Sequence, residues 1–387
     1  MKYISLAAAG ALAACATQTG APAQYDVAAD VQSNTTMTIT TADRASAVIA
    51  RLPEAVSNNA VAAARVDGRA MAYSFAGLHA GKTWRDLTAD AYECDLAAGQ
   101  CAEIAGLPDG VGRLAAVAAT LEDRIYVFGG YTVADDGSEK STPKVWIFDP
   151  AGRTYSRAAD MPTPVDDAVA LPVGGRYIYL VSGWHDTDNV DLVQLYDAQR
   201  DEWRQATPWP GAPVFGHAGG VIADPPQTGG PQMAHMVICD GVKVVPGSKP
   251  GEDRRFEPSA ECWEGRADIA QPEIIDWTQR DSLPPAHYRM AATGSARLGL
   301  TVFIGGTDNP YNYDGVAYDG APSDPSAHAW GYDFAAREFA VLADPDTGTM
   351  DHRGLIEWNG RFVTLGGMNA DRQVMDAVIA HDIGLTE

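Results

Sequence analysis

Several residues have the types that acid–base and ligand chemistry requires: His217, His287 with Arg289, and His352 with Arg353, joined by Arg113 and Asp167. Imidazole titrates near neutral pH and can give or take a proton. A guanidinium fork matches a carboxylate. Asp240, in "ICDG", supplies another acid. Tyr131, Trp184 with His185, Tyr311 and Tyr313 stand in stretches rich in Asp, Asn and Pro, where an aromatic face can stack on a sugar ring. Base, acid, cation and stacking ring make up a small-polar-ligand site. Each also has a structural role open to it: an Arg that bridges elements, a satisfied His, a Tyr that packs its own loop. The functional reading requires that the backbone bring them to one face.

The backbone is repetitive. "DRIYVFGGYT" (123–132) is an alternating run closed by two glycines, and the phrase returns as "RYIYLVSGW" (176–184), "LTVFIGGTD" (300–308) and "RFVTLGGMN" (361–369). Looser copies are "RAMAYSFAGL" (69–78) and "AHMVICDGV" (234–242). The closing glycines Gly77, Gly130, Gly183, Gly241, Gly306 and Gly367 are 53 to 65 residues apart. A second phrase places an aromatic residue six positions after an Asp: Asp149 to Tyr155, Asp197 to Trp203, Asp333 to Phe339. It reads as a hairpin whose return strand buries a ring. A proline follows seven residues after the anchor, as in Tyr155 to Pro162, Trp203 to Pro210 and Trp277 to Pro284.

Four short strands per unit, with glycines after the second and an aromatic in the fourth, resemble the Kelch repeat, which implies an all-β, six-bladed Kelch-type β-propeller. The resemblance covers residues 45–387, with blades at 54–108, 109–162, 163–210, 211–284, 285–345 and from 346 onward. The last unit ends five residues after Asp382, without a fourth strand. Residues 45–52 are therefore expected to pair into blade six and close the ring, hiding two raw sheet edges. In such a ring, the loops after each second strand and the residues that begin each blade open on one face around the central channel. A pocket is expected there.

The ruler also bears on the cysteines. Asp95 leads to Cys101 by six residues and Cys101 to Pro108 by seven, so Cys101 takes the anchor position of blade one. Cys94 then faces it across the hairpin, about 4.5 to 5.5 Å between Cβ atoms, within disulfide reach. A tetrahedral zinc site would need four ligands, and the spacing is not C-x-x-C. Cys239 and Cys262 flank a long Pro- and Gly-containing loop that a second bridge would shorten. No metal and no cofactor is expected. The oxygen-rich stretches 186–191 and 344–351 lack EF-hand spacing and read as solvated loops.

The chain opens "MKYISLAAAGALAAC", a positive start and a short apolar run, read as a signal peptide over residues 1–14. The residues before Cys15 resemble a bacterial lipobox, which implies lipidation of Cys15, a flexible tether over 15–44 and, with Ala16 next, outer-membrane sorting. A net charge of −23 repels phosphate backbones and argues against nucleic acid as a partner. The membrane is expected to be touched only through the anchor.

Size, export, blade number and N-terminal closure are similar to the bacterial sialic-acid mutarotases (N-acetylneuraminate epimerases). That resemblance implies a base at the anomeric hydroxyl, an acid at the ring oxygen and a cation for the carboxylate. It assigns catalysis to His217, His287 and Asp240, and ligand binding to Arg113, Tyr131, Trp184, His185, Arg289, Tyr311, Tyr313, His352 and Arg353. The departure is in blade four, where those enzymes carry a glutamate and this chain reads "CDGVKVVPG". A galactose-oxidase-type copper site needs a Tyr–Cys crosslink, and each cysteine here has a nearer partner. The expectation is a propeller that binds a carbohydrate or another small polar ligand, acidic ones included, with or without sialate-mutarotase-like isomerase activity; the alternative is a non-catalytic protein-interaction module of the cell envelope.

Overall fold

The computed structural model describes residues 38–39, 46–225, 230–247, 254–282, 285–343, 347–383 and 385–386. Residues 1–14, where a signal peptide is expected, Cys15 and almost all of the expected tether lie outside them. Six antiparallel four-stranded sheets follow one another around a ring. Five are continuous in sequence, with strands over Ala60–Ile104, Val117–Arg157, Val169–Gln205, Ala218–Arg280 and Ala291–Ala343. The sixth takes three strands from Ile356–His381 and its outermost strand from Ala47–Arg51. Ala47 pairs with Ala380 and Arg51 with Ala377, so the N-terminal strand closes the ring.

Hydrophobic clusters lie between neighbouring blades, as expected for sheets that bury their faces on one another. Tyr73, Phe75, Ile125 and Phe148 join blades one and two. Ala50, Val61, Val363 and Val378 lock blade six to blade one.

The repeated phrases have mechanical meanings. The Asp of the hairpin phrase caps its own turn: Asp149 Oδ1 accepts from the Ala151 and Gly152 amides, and Asp333 Oδ1 from those of Ala335 and Ala336. The anchor aromatic faces a second ring across the hairpin. Centroids are 4.9 Å apart for Phe148–Tyr155, 5.0 Å for Tyr196–Trp203 and 4.9 Å for Tyr332–Phe339. In blade one the same register holds Cys94 opposite Cys101 as a disulfide, Cα atoms 4.0 Å apart. The second disulfide joins Cys239 to Cys262, also register partners, at 4.1 Å. In blade four the anchor Trp277 instead lies over Gly265, where a Cβ would come within 2.6 Å of the indole.

The closing glycine of each blade has positive φ, from 82° to 118°. A Cβ there would meet a carbonyl of the segment that begins the same blade, Leu114 O at 2.7 Å for Gly130 and Met350 O at 2.7 Å for Gly367. This close approach bonds the end of the second strand to the start of the first, as in Leu114–Tyr131 and Met350–Met368.

Candidate functional site: a channel with an ionic floor

Immediately after that bridge, every blade places one residue in the left-handed region: Asn58, Ala115, Asp167, Gly216, Arg289 and Asp351, φ 51° to 69°. The turn aims each amide at the preceding blade. Asn58 N–H donates to Asp351 O (3.1 Å), Ala115 to Asn58 O (3.3 Å) and Asp167 to Ala115 O (3.0 Å). Gly216 donates to Asp167 O (2.9 Å), Arg289 to Gly216 O (2.7 Å), and His352 completes the circle to Arg289 O (3.2 Å). A closed belt of main-chain hydrogen bonds thus surrounds the axis.

Its side chains form a buried ionic cluster. Arg289 Nη2 meets Asp167 Oδ2 at 2.7 Å, and its Nη1 meets Asp351 Oδ1 at 3.1 Å. Arg353 Nη2 lies 2.8 Å from Asp167 Oδ1 and donates to Asn58 Oδ1 at 2.7 Å. Two guanidinium and two carboxylate groups balance in charge. Burial pushes the Asp167 carboxyl up, but Arg289 and Arg353 outweigh it and hold it below the ordinary value.

Below this floor runs a cavity of about 640 Å³, lined by the first strands of all six blades. Its walls are small or aliphatic, including Ala63, Ala118, Ala170, Gly219, Ala292 and Gly354. His217, His352, Arg353 and Asp167 face it at the floor, and Asn359–Gly360, in the first hairpin turn of blade six, lie at the far, exposed end. Near that mouth Arg297 Nε bonds Glu357 Oε1 at 2.8 Å.

His217 is the distinctive group. Its Nε2–H donates to Val181 O at 2.9 Å, which fixes the neutral tautomer and leaves Nδ1 a buried acceptor without a protein partner. Burial lowers its pKa to about 4, so the ring is uncharged at neutral pH. Burial likewise lowers His352 to about 3, with Nε2 at 2.9 Å from Thr349 Oγ1. Arg353 Nε also has no protein partner.

The remaining candidates lie elsewhere. Asp240 and His287 are buried together between blades four and five, away from the cavity. The His287 amide donates to Asp240 Oδ2 at 2.9 Å, and its ring sits on Trp330 with centroids 4.5 Å apart. Burial raises Asp240 well above a usual carboxyl and lowers His287 to about 4, so both are neutral. Arg113 is held by Asp109 (2.5 Å), which Lys144 also contacts (2.9 Å). His185 donates Nδ1–H to Pro164 O at 2.7 Å.

Sequence places the pocket among the loops; the large cavity lies below the belt instead, and the described loop residues pack on one another, leaving a pocket of about 200 Å³ beside Arg113, Thr132 and Lys144. Tyr311 is wholly buried against Tyr288, with the Arg289 guanidinium over both rings. Tyr131 is buried and donates to Asn312 Oδ1 (3.2 Å), and Asn312 O accepts from Arg289 Nη1. Trp184 packs on Phe215 and Phe256. Tyr313 lies half-buried beside Leu114 and Tyr131. Lys82 pins the blade-five loop to blade six through Asp314 O (2.8 Å) and Arg372 O (2.9 Å). Asn58, Asp351, Arg297 and Glu357 were not anticipated from sequence. The signal for the first two was their place five or six residues after a proline at the blade boundary, Pro53 for Asn58 and Pro345 for Asp351, as Asp167 follows Pro162 and Arg289 follows Pro284.

Comparison with known proteins agrees with this architecture. The Kelch motif model matches residues 112–162. Kelch-like protein 15 of Gallus gallus is 30% identical over 153 residues, 38% of this chain and 30% of that protein. Kelch-like protein 15 of Danio rerio is 23% identical over 269 residues, 68% of this chain and 40% of that protein. The chain thus spans well under half the length of these relatives. The solved structure of YjhT superposes with a TM-score of 0.64 at 16% identity, covering 88% of this chain and 99% of that one. Ring, blade register and motif define a six-bladed Kelch-type β-propeller.

Proposed function

We propose that this propeller binds a small polar ligand, a carbohydrate or a related hydroxylated acid, in the central channel, reached from the first-hairpin face. The observation that carries the reading is the 640 Å³ axial cavity with His217, His352 and Arg353 at its closed end. His217 Nδ1 and Arg353 Nε are shielded and, among the described residues, unbonded, so a small side-chain shift would let a hydroxyl donate to the first and a carboxylate or ring oxygen accept from the second. Mutarotation is the catalytic form of this reading, with neutral His217 as the base. Asp240 lies off the channel, Asp167 is committed to two arginines and Glu357, near the mouth, to Arg297, so among the described residues no carboxyl stands ready as the acid beside His217. The balance favours binding over isomerisation.

The test is calorimetric titration with N-acetylneuraminate, glucuronate and galactose, together with NMR exchange measurement of anomer interconversion. Binding that His217→Leu abolishes supports the reading. Titrations without heat and unchanged anomer rates for all three would sink it. Envelope anchoring through Cys15 belongs to the same proposal and is tested by lipid labelling of the native chain against Cys15→Ala. A second reading, protein docking on the sealed loop face, draws on exposed Val316 and Tyr318 in the blade-five loop.

A further inference from the structure

A second group of chemistry-bearing residues lies outside the channel, where blade one meets the closing segment. Glu54, His79 and Asp90 present ligand atoms all within 4.8 Å of one another. His79 Nε2 is 3.2 Å from Asp90 Oδ2 and 3.8 Å from Glu54 Oε2. On the other side of the ring, Nδ1 lies 3.0 Å from the Ala55 carbonyl and donates to it. That bond fixes the tautomer in which Nε2 keeps its lone pair for an ion held between the ring and the carboxylates, the outer support that metal-bound imidazoles characteristically have.

We infer that Glu54, His79 and Asp90 form a divalent transition-metal site, with zinc the best-matched ion. One imidazole and two carboxylates give three ligands and leave a fourth position for water. Ligand bonds of about 2.0–2.2 Å place ligand atoms about 3 to 3.5 Å apart, so only the Glu54 arm must close. Its side chain is 67% exposed and can swing. An imidazole nitrogen selects zinc and its neighbours over the oxygen-seeking calcium and magnesium ions. The net charge of −23 concentrates cations around the molecule. Sequence reading expected no metal because it weighed only cysteines and acidic loops; His79, in "GLHAGK", belongs to neither.

The three ligands come from different segments. Glu54 follows the closing strand Ala47–Arg51, His79 follows the second strand of blade one, and Asp90 lies on its third. A bound ion would tie the closing segment to blade one. The competing arrangement is His79 hydrogen-bonded directly to Asp90 beside Glu54, with no ion.

The experiment is calorimetric titration of the chelator-treated, tag-free chain with zinc, manganese and calcium chlorides, with thermal unfolding alongside. The expected result is one zinc equivalent that raises the unfolding midpoint, with calcium at least tenfold weaker. His79→Gln and Asp90→Asn should each weaken that equivalent at least tenfold. His235→Gln, which removes a similar surface pair with Asp224 at 3.1 Å, should leave it intact. Zinc binding insensitive to both ligand variants would overturn the proposal. So would the absence of zinc binding, or calcium binding as tight as zinc. None of these readouts involves the channel.

Discussion

The two ends of the channel are made from the same six strands and differ in nearly everything else. At the loop end each strand begins with a left-handed residue, and the belt they form carries two arginines and two aspartates with almost no exposure. At the hairpin end the strands finish in small residues and one Arg297–Glu357 pair whose side chains are about one-fifth exposed. Salt bridges of similar length therefore do different work. Buried charges depend on their partners, since losing one strands the other in a poor solvent. Near the mouth, water can replace what is lost. The sealed end resists deformation, and the other end admits a solute.

That contrast can be broken in four ways. Arg289→Leu leaves Asp167 and Asp351 short of a partner and should cost about 3–5 kcal/mol of unfolding free energy, measured by urea denaturation. Arg297→Leu should cost about 1 kcal/mol or less. Equal costs would erase the distinction between the two ends.

Next are the covalent ties. Loop-closure entropy assigns about 2.5 kcal/mol to the Cys94–Cys101 bridge and about 3.5 kcal/mol to Cys239–Cys262, whose sequence separations are 7 and 23. Replacing each pair with serine and comparing urea midpoints checks the order. The reverse order would show that blade one uses its bridge mainly as packing at the anchor position.

Acid acts through the buried neutral groups. The folded pKa values of His217 and His287 are about 4 and that of His352 about 3, all below the ordinary 6.5. The unfolded chain therefore takes up protons first as pH falls. The stability these imidazoles confer is complete above pH 6.5 and drains away below it. Asp166 and Asp240, both raised by burial, work the other way, since their folded forms hold protons that the unfolded chain releases. The three imidazoles outnumber the two raised carboxyls, so stability should fall as pH drops from 6.5 to 4.5. Asp240→Asn removes one opposing group and should steepen that fall. A flat profile would show that the loop end admits water.

The smallest effect concerns ligand alone. Ala118→Phe narrows the channel and should weaken binding of whichever sugar scores in calorimetry at least tenfold. Tyr318→Ser on the loop face should change it less than twofold. The opposite pattern would move the site to the loops and favour protein docking.

The sequence revealed the blades well because their requirements are local. A closing glycine is needed where any Cβ would strike a carbonyl, an Asp must cap its own turn, and a ring must face a ring two strands out. Closure by Ala47–Arg51 followed from counting strands. The site was only half legible. The left-handed belt is held by main-chain atoms, so its positions share no residue type: Asn58, Ala115, Asp167, Gly216, Arg289, Asp351. Arg289 therefore read as a ligand group, although it is engaged by Asp167 and Asp351 of other blades. The sealing of the loop face was hidden for a similar reason. Asn312 with Tyr131, and Lys82 with Arg372, are partners far apart in sequence with no shared period.

The strand that closes the ring has a mechanical consequence. It is the outermost strand of blade six, at the rim of the disc, joined to its neighbour by a short antiparallel ladder. Tension arriving along the chain would meet the two-residue pairing of Thr38–Ile39 with Leu385–Thr386 and then this ladder. Pulled sideways, the strand would unzip one bond at a time; pulled along its length, all its bonds would share the load. The direction of tension would decide whether the ring opens under a weak force or a strong one.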